Sequence, residues 1–207
     1  MLRIFPLQPV TCNPEAFTLC PMLSFPQKLL LHVCCAPCSP HVIGLLHKEF
    51  ELTAYFYNPN IHPREEYERR LLEVERYCKE NDIPLVIGEC DTDRWFSAVK
   101  GMEEQKEGGR RCEICYRVRL EKTALAAQAH GMSCFATTLT VSPYKKALVI
   151  NRIGREVGEQ CAMTFYEADF KKQDGFKKSC ELSKHYNFYR QTYCGCIYSV
   201  PRDRAQT

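Results

Sequence analysis

Short apolar, β-rich runs alternate along this chain with longer stretches in which apolar residues return every three or four positions. The first run, Leu29-Leu30-Leu31-His32-Val33, ends in Cys34-Cys35-Ala36-Pro37-Cys38-Ser39-Pro40. Ser39 suits a helix N-cap and Pro40 a first helical position, so a helix is predicted over about residues 40–49. Residues 52–57 alternate in the manner of a second strand, and Asn58-Pro59-Asn60 is turn chemistry. Tyr67, Leu71, Val74 and Cys78 mark one face of a long helix over 64–81, which makes Cys78 a core residue. A third strand over 84–88, a short helix over 92–99 and a polar loop over 102–111, expected to be the most mobile segment, come next. A helix then runs from Cys112 to a glycine C-cap at Gly131. A fourth strand over 134–139, a helix opened by Ser142-Pro143 and reaching Val157, a fifth strand over 163–167 and a helix over 175–186 complete the pattern. Strands that alternate with helices predict an α/β fold, a doubly wound and mostly parallel sheet of about five strands.

Composition narrows the class. The 207 residues are 45% hydrophobic and 26% charged, enough for a single catalytic domain over 28–200 with a proper core. Residues 1–27, broken by five prolines, read as a poorly ordered extension, and residues 201–207 as a tail. The extension lacks a basic region followed by an apolar stretch, and no segment approaches the roughly 18 apolar residues that span a bilayer. A cytoplasmic location without membrane attachment is expected. A net charge of +3 leaves nucleic-acid binding to local basic patches.

The 14 cysteines change the picture. In a cytosolic chain, tight clusters point to metal or redox chemistry rather than to a disulfide scaffold. Cys34-Cys35 and Cys38 sit where a first strand meets a helix, the ligand-binding edge of an α/β sheet. Cys112-x-x-Cys115 opens a helix. With Cys34 and Cys35 it supplies four thiolates, the number an iron–sulfur cube or a structural zinc requires. Cys38 is a fifth thiol, free or a ligand of a further metal. Cys194-Gly195-Cys196 closes a small strained ring when oxidised, which suits redox cycling. Cys12 and Cys20 have no assigned role.

Basic residues Arg110, Arg111, Lys145, Lys171, Lys172 and Arg190 gather near strand ends with interleaved aromatics, a pattern able to hold an unstacked RNA loop or equally a solvated face. His62, Asp91 and Asp169 also follow strand ends; each is a candidate proton carrier or ligand, or a cap.

Taken together, Cys-Cys-x-Pro-Cys-Ser, Tyr-Asn-Pro-Asn-Ile-His-Pro, Arg-Arg-Cys-x-x-Cys-Tyr-x-x-Arg-Leu, Thr-Thr-Leu-x-x-Ser-Pro-Tyr-Lys, Asp-Phe-Lys-Lys and Tyr-Arg-Gln-x-Tyr-Cys-Gly-Cys resemble the cobalamin-independent epoxyqueuosine reductases (QueH type) from Leu29 to about Ser199. The resemblance implies a Rossmann-like sheet of the nucleotide-hydrolase/PP-loop kind. It implies reduction of the epoxide of epoxyqueuosine, at the wobble base of tRNA, to the alkene. It assigns Cys34, Cys35, Cys112 and Cys115 to a [4Fe–4S] cluster, with a single additional iron beside it, and Cys194 and Cys196 to a redox-active disulfide. Neither cobalamin nor ATP is expected. An electron donor such as a ferredoxin or flavodoxin is. Cys38 and Asp91 are candidate ligands of the second metal, and Asp169 or Asp91 a candidate proton donor to the departing oxygen.

Two rival functions share parts of this pattern. A PP-loop tRNA sulfurtransferase needs a glycine-rich phosphate loop after the first strand, and Cys34-Cys35-Ala36-Pro37-Cys38-Ser39 stands there instead. A non-catalytic zinc or RNA-binding module differs by colour, since an iron–sulfur protein is brown and a zinc protein is not.

Overall fold

The computed structural model describes residues 27–200; residues 1–26, with Cys12 and Cys20, and the tail from 201 onward lie outside the described residues. Strands β1 (Gln27–His32), β2 (Phe50–Phe56), β3 (Leu85–Ile87), β4 (Cys134–Thr137) and β5 (Thr164–Phe165) form one sheet in the order β3-β2-β1-β4-β5. Every pairing is parallel. The helices are α1 (Ser39–Leu46), α2 (Arg64–Glu80), α3 (Thr92–Val99), α4 (Arg110–Ala129), α5 (Ala147–Gln160) and α6 (Gly175–His185). The chain winds outward from β1 to β3, then returns past the centre to β4 and out to β5. The direction of winding therefore reverses between β1 and β4, and the crevice at their carboxyl ends is where such sheets bind ligands.

The sheet carries a core on each face. Leu29, Leu31 and Val33 pack with Val42 and Ile43 of α1 and with Tyr67, Val74, Tyr77 and Cys78 of α2. Leu30 points the other way, to Leu120, Ala124 and Ala127 of α4 and Ile150, Ile153 and Val157 of α5. Burial on both faces explains why β1 is written as an unbroken apolar run rather than an alternation. Cys78 is 2% exposed, a core residue as its helical spacing predicts. Among the described residues no helix is long and apolar enough to cross a membrane.

Three local expectations are corrected. Ser39 is not an N-cap. A 3-10 turn over Ala36–Cys38 runs straight into α1, so Cys38 takes the cap position and the Ser39 hydroxyl donates back to the Cys35 carbonyl at 2.8 Å. Ser142-Pro143 does not open α5. Residues 142–146 form a turn closed by Lys145 N donating to the Ser142 carbonyl at 3.2 Å, and the helix begins at Ala147. β4 stops at Thr137 because a 3-10 turn, Thr138–Val141, takes over, its first free N–H at Leu139 satisfied by Thr137 Oγ1.

The start of α6 packs directly beneath the cysteine turn. A Cβ on Gly175 would stand 1.8 Å from the Phe170 carbonyl oxygen and 2.9 Å from His41 Nε2. A backbone carbonyl cannot step aside as a flexible side chain can. Gly175→Ala is expected to lower unfolding free energy by about 1–3 kcal/mol, the usual cost of overpacking, as measured by denaturant titration.

Candidate metal centre and redox site

The cysteine motifs, far apart in sequence, meet at the reversal point. Cys34, Cys38, Cys112, Cys115, Cys194 and Cys196 line one cavity, together with Arg70, Trp95, Arg111, Arg119, Lys145 and Gln191. The sulfurs of Cys34, Cys35 and Cys38 lie within 4.8 Å of one another, close enough to share a single ion. Cys112 and Cys115, from the first turns of α4, line the same cavity and stand outside that single-ion group. A cluster's four sulfur ligands surround it rather than converge on one atom, so Cys34 and Cys35, whose sulfurs are 3.7 Å apart, have to swing apart to serve two corners beside Cys112 and Cys115.

Each wall is held by specific bonds. Cys34 N donates to Thr138 Oγ1 at 3.3 Å, tying the end of β1 to the end of β4. Gly108 N donates to Cys112 Sγ at 3.2 Å. Gln191 Nε2 donates to Cys35 Sγ at 3.0 Å. Beneath them His32 is fully buried, and burial, followed by the Arg119 charge, lowers its pKa to about 4. The neutral ring donates from Nε2 to the Tyr57 carbonyl at 3.1 Å, which leaves Nδ1 to accept from the Thr137 hydroxyl at 2.9 Å.

The loop carrying Cys194 and Cys196 is clamped onto α2. Arg70 and Glu66 form a buried ion pair at 2.7 Å. The same guanidinium donates to the carbonyls of Cys194 and Tyr193, each at 3.1 Å, and Tyr189 Oη donates to Glu66 at 3.0 Å. His62 N donates to the Gly195 carbonyl at 2.8 Å, and the Tyr193 hydroxyl donates to the His62 carbonyl. Gly195 has φ +104°, and a Cβ there would lie 2.9 Å from Ile61 Cγ1 and 3.0 Å from Arg70 Nη1. Only glycine meets both demands. The Asn58–Pro63 segment thus serves as a cradle for the Cys-Gly-Cys turn. His62 is no cavity ligand: its Nδ1 sits 3.0 Å from the Asn60 carbonyl oxygen and its ring packs against Trp95 and Phe96.

The electrostatics favour thiolate at Cys34 and Cys194. Hydrogen bonds from Cys35 and then Cys38 hold the Cys34 thiol well below its usual pKa, while the same hydrogen bonds to Cys34 push Cys35 up to about 12 and raise Cys38 too. Cys194 is likewise held well below the thiol range by a hydrogen bond from Cys196, whose own pKa rises in return. Burial raises Cys112. Burial opposes the charges of Arg119 and Lys145, but the sulfurs around them outweigh it. Cys115 and Cys34 raise Arg119; Cys194 and Cys34 raise Lys145. Arg119, 4% exposed, hydrogen-bonds the Cys115 carbonyl and Asn58 Oδ1 rather than a carboxylate. A buried cation without a carboxylate is costly unless anions stand nearby. The donor set of thiolates opposed by two cations therefore fits an anionic, thiolate-ligated cluster.

Several predicted site residues have other duties. Asp91 caps α3 by accepting from Arg94 N at 3.3 Å and does not line the cavity. Asp169 pairs with Lys171 at 2.8 Å, also away from the cavity. Arg111, expected on an RNA-binding surface, is 2% exposed; its Nη1 donates to the carbonyls of Met102, Glu103 and Gln105, fastening the segment expected to be mobile. Arg110, Lys172 and Arg190 are exposed. Lys145 lines the cavity itself, because the turn at 142–146 aims it inward. Sequence reasoning missed Arg70 and Trp95, and left Arg119 and Gln191, which stand in the quoted motifs, without a role in the cavity. Arg70 carried a signal: it lies three residues from Tyr67 and four from Val74, on the apolar face of α2.

With this geometry in place, comparison with known proteins is informative. The family model of the epoxyqueuosine reductase QueH matches residues 29–202. The chain belongs to that family. An epoxyqueuosine reductase QueH of Streptococcus pyogenes serotype M1 is 38% identical over 83% of this chain and 70% of its own length. One from Acinetobacter baylyi is 41% identical over 84% and 81%, and one from Thermotoga maritima 36% identical over 83% and 90%. Among solved structures, the U34-tRNA thiolase NcsA from Methanococcus maripaludis with its [4Fe–4S] cluster aligns with TM-score 0.55 at 14% identity, covering 85% of this chain and 62% of that one. That likeness is one of fold, a parallel α/β sheet flanked by helices.

Arg70 is the linchpin of the Cys194 loop. Arg70→Ala leaves the Glu66 carboxylate buried with only the Tyr189 hydroxyl and no cation, and should cost about 3–5 kcal/mol by denaturant titration. Hydrogen exchange is expected to accelerate at Tyr193 to Cys196 before the sheet opens.

Proposed function

We propose that this chain reduces the epoxide of epoxyqueuosine, at the wobble position of tRNA, to the alkene of queuosine. The observation that carries the reading is the convergence of three separate thiol motifs on one cavity at the reversal point of the sheet, in a chain of the QueH family. Cys34, Cys35, Cys112 and Cys115 are the residues to hold a [4Fe–4S] cluster, which supplies one-electron transfer when bound. Cys38, within 4.8 Å of Cys34 and Cys35, is positioned to contribute to a single additional iron, and Asp91, engaged as a helix cap, is not.

Cys194 and Cys196 supply the stoichiometry. The two C–O bonds of the epoxide break and a C=C bond forms, which takes up two electrons and two protons and releases water. Oxidation of the Cys194 thiolate and Cys196 thiol to a disulfide provides both electrons and one proton, and the Lys145 ammonium, recharged from solvent after release, is placed to give the second. Cys194 is the sulfur held as thiolate, and Cys196 donates its hydrogen bond to it. Lys145 lines the cavity within electrostatic reach of Cys194 and Cys34, and its positive charge suits an oxygen that leaves as an anion there. Arg70 keeps the dithiol loop fixed, and Trp95 and Leu139 help keep water out of the cavity. An external donor, a ferredoxin or flavodoxin, then reduces the disulfide. The tRNA substrate places this work in the cytoplasm.

The sulfurtransferase alternative is disfavoured by the turn that follows β1. Residues 36–38 form a proline-containing 3-10 turn, with no glycine to bring backbone N–H groups around a phosphate.

The test is anaerobic incubation of the iron- and sulfide-reconstituted protein with epoxyqueuosine tRNA and a chemical reductant, read by nucleoside mass spectrometry. Conversion to queuosine is expected. Cys112→Ser should lose the broad absorption near roughly 400 nm and all activity. Cys194→Ser should keep the absorption and lose turnover; repeated turnover by Cys194→Ser would remove the dithiol from the scheme.

A further inference from the structure

A second cavity of about 580 Å³ opens beside the cysteine cavity, and the two share Cys38, Glu107, Ser142, Lys145, Gln191 and Cys194. Its size falls in the range of small-molecule sites. Ser179 and Ser183, one turn apart on α6, line it; they are 3% and 1% exposed. Neither hydroxyl has a hydrogen-bond partner. A buried helical serine ordinarily returns its hydroxyl to the carbonyl four residues back, and these two do not. Gln191 is divided: Nε2 donates to Cys35 Sγ, while Oε1 is buried without a partner. Phe176, 38% exposed, and Tyr144, 81% exposed, offer aromatic faces to the same space, and Arg190 lines it from an exposed position.

We propose that this second cavity seats the flipped-out modified base of the RNA. The base lies against Phe176, and its polar edge is read by the hydroxyls of Ser179 and Ser183 and by Gln191 Oε1. The epoxide-bearing arm passes Gln191 and Lys145 into the cysteine cavity, and Arg190 meets the backbone phosphate. A base in a duplex or stacked loop cannot deliver a reactive group to a buried centre without leaving its stack. The hydroxyls make sense on these terms alone. Donors and acceptors left unpaired inside a protein reduce its stability, and they are retained where a ligand pairs them. The small side chains also let α6 approach the cysteine turn, but alanine would serve that packing equally well and bury no orphaned oxygen. The inference rests on the epoxyqueuosine reductase reading of the neighbouring cavity.

The experiment uses the full-length, reconstituted protein and an anticodon stem-loop RNA carrying epoxyqueuosine. The double variant Ser179→Ala/Ser183→Ala is expected to unfold at the same temperature as the parent or higher, and to keep its absorption. Its KM should rise roughly tenfold with kcat little changed, as for two lost ground-state hydrogen bonds. Phe176→Ala, at a partly exposed position, should raise KM severalfold in the same way. An unchanged KM in both variants overturns the base seat, and a lower unfolding temperature with unchanged KM assigns the serines to packing only. If the parent fails to reduce the RNA, the activity reading falls by itself. Direct binding of fluorescently labelled stem-loop then decides the seat: weaker binding by both variants supports it, and equal binding overturns it.

Discussion

Positive charge buried among thiols at the reversal point of the sheet is the constraint around which the rest is arranged. Arg119 and Lys145 are held in the cavity wall with sulfur, not carboxylate, as their main counter-charge. The thiols held below their usual range, Cys34 and Cys194, supply that negative charge, and Glu107 lines the same cavity. The arrangement also needs every wall of the cavity to stay in place. The walls come from the ends of β1 and β4, the start of α4 and the Cys194 loop, and each is fastened by its own hydrogen bonds.

Two of the fastenings are arginines that a surface-oriented reading treats as solvent-facing or as RNA contacts. Arg70 binds the Cys194 loop through two carbonyls while paired to Glu66, and Arg111 gathers three carbonyls of the segment before α4. In both cases one guanidinium satisfies several loop acceptors at once, and Arg70 does so from Nε, Nη1 and Nη2 separately, a fork a single lysine nitrogen cannot reproduce. The loops that carry the chemistry are therefore rigid for reasons outside the loops themselves. Pre-organisation of this kind suits a reaction in which a reducible group, a dithiol and a buried charge must meet without rearrangement.

The two joined cavities divide the work of the site. One is walled by sulfur and cation; the other by hydroxyls, aromatics and an amide oxygen. Gln191 stands on the boundary with one end on Cys35 and the other free toward the second chamber. The turn at 142–146 serves both by carrying Lys145 inward, an outcome of ending β4 early rather than of any helix cap.

Strand and helix periodicity were legible along the chain because burial on one or two faces leaves a direct mark on composition: β1 as a continuous apolar run, α2 as a face of Tyr67, Leu71, Val74 and Cys78. The cysteine motifs were legible as chemistry for the same local reason, since spacing of one or two residues already limits what thiols can do. Partnership was not legible. Whether Asp91 is a ligand or a cap, or Arg111 an RNA contact or a strap, depends on which distant backbone atoms come within reach, and residue type leaves both open. Winding reversal brought together residues up to about 160 positions apart, such as Cys35 and Gln191 with |i−j| of 156, and only that tertiary contact decided which side of each charged residue faces sulfur, backbone or water.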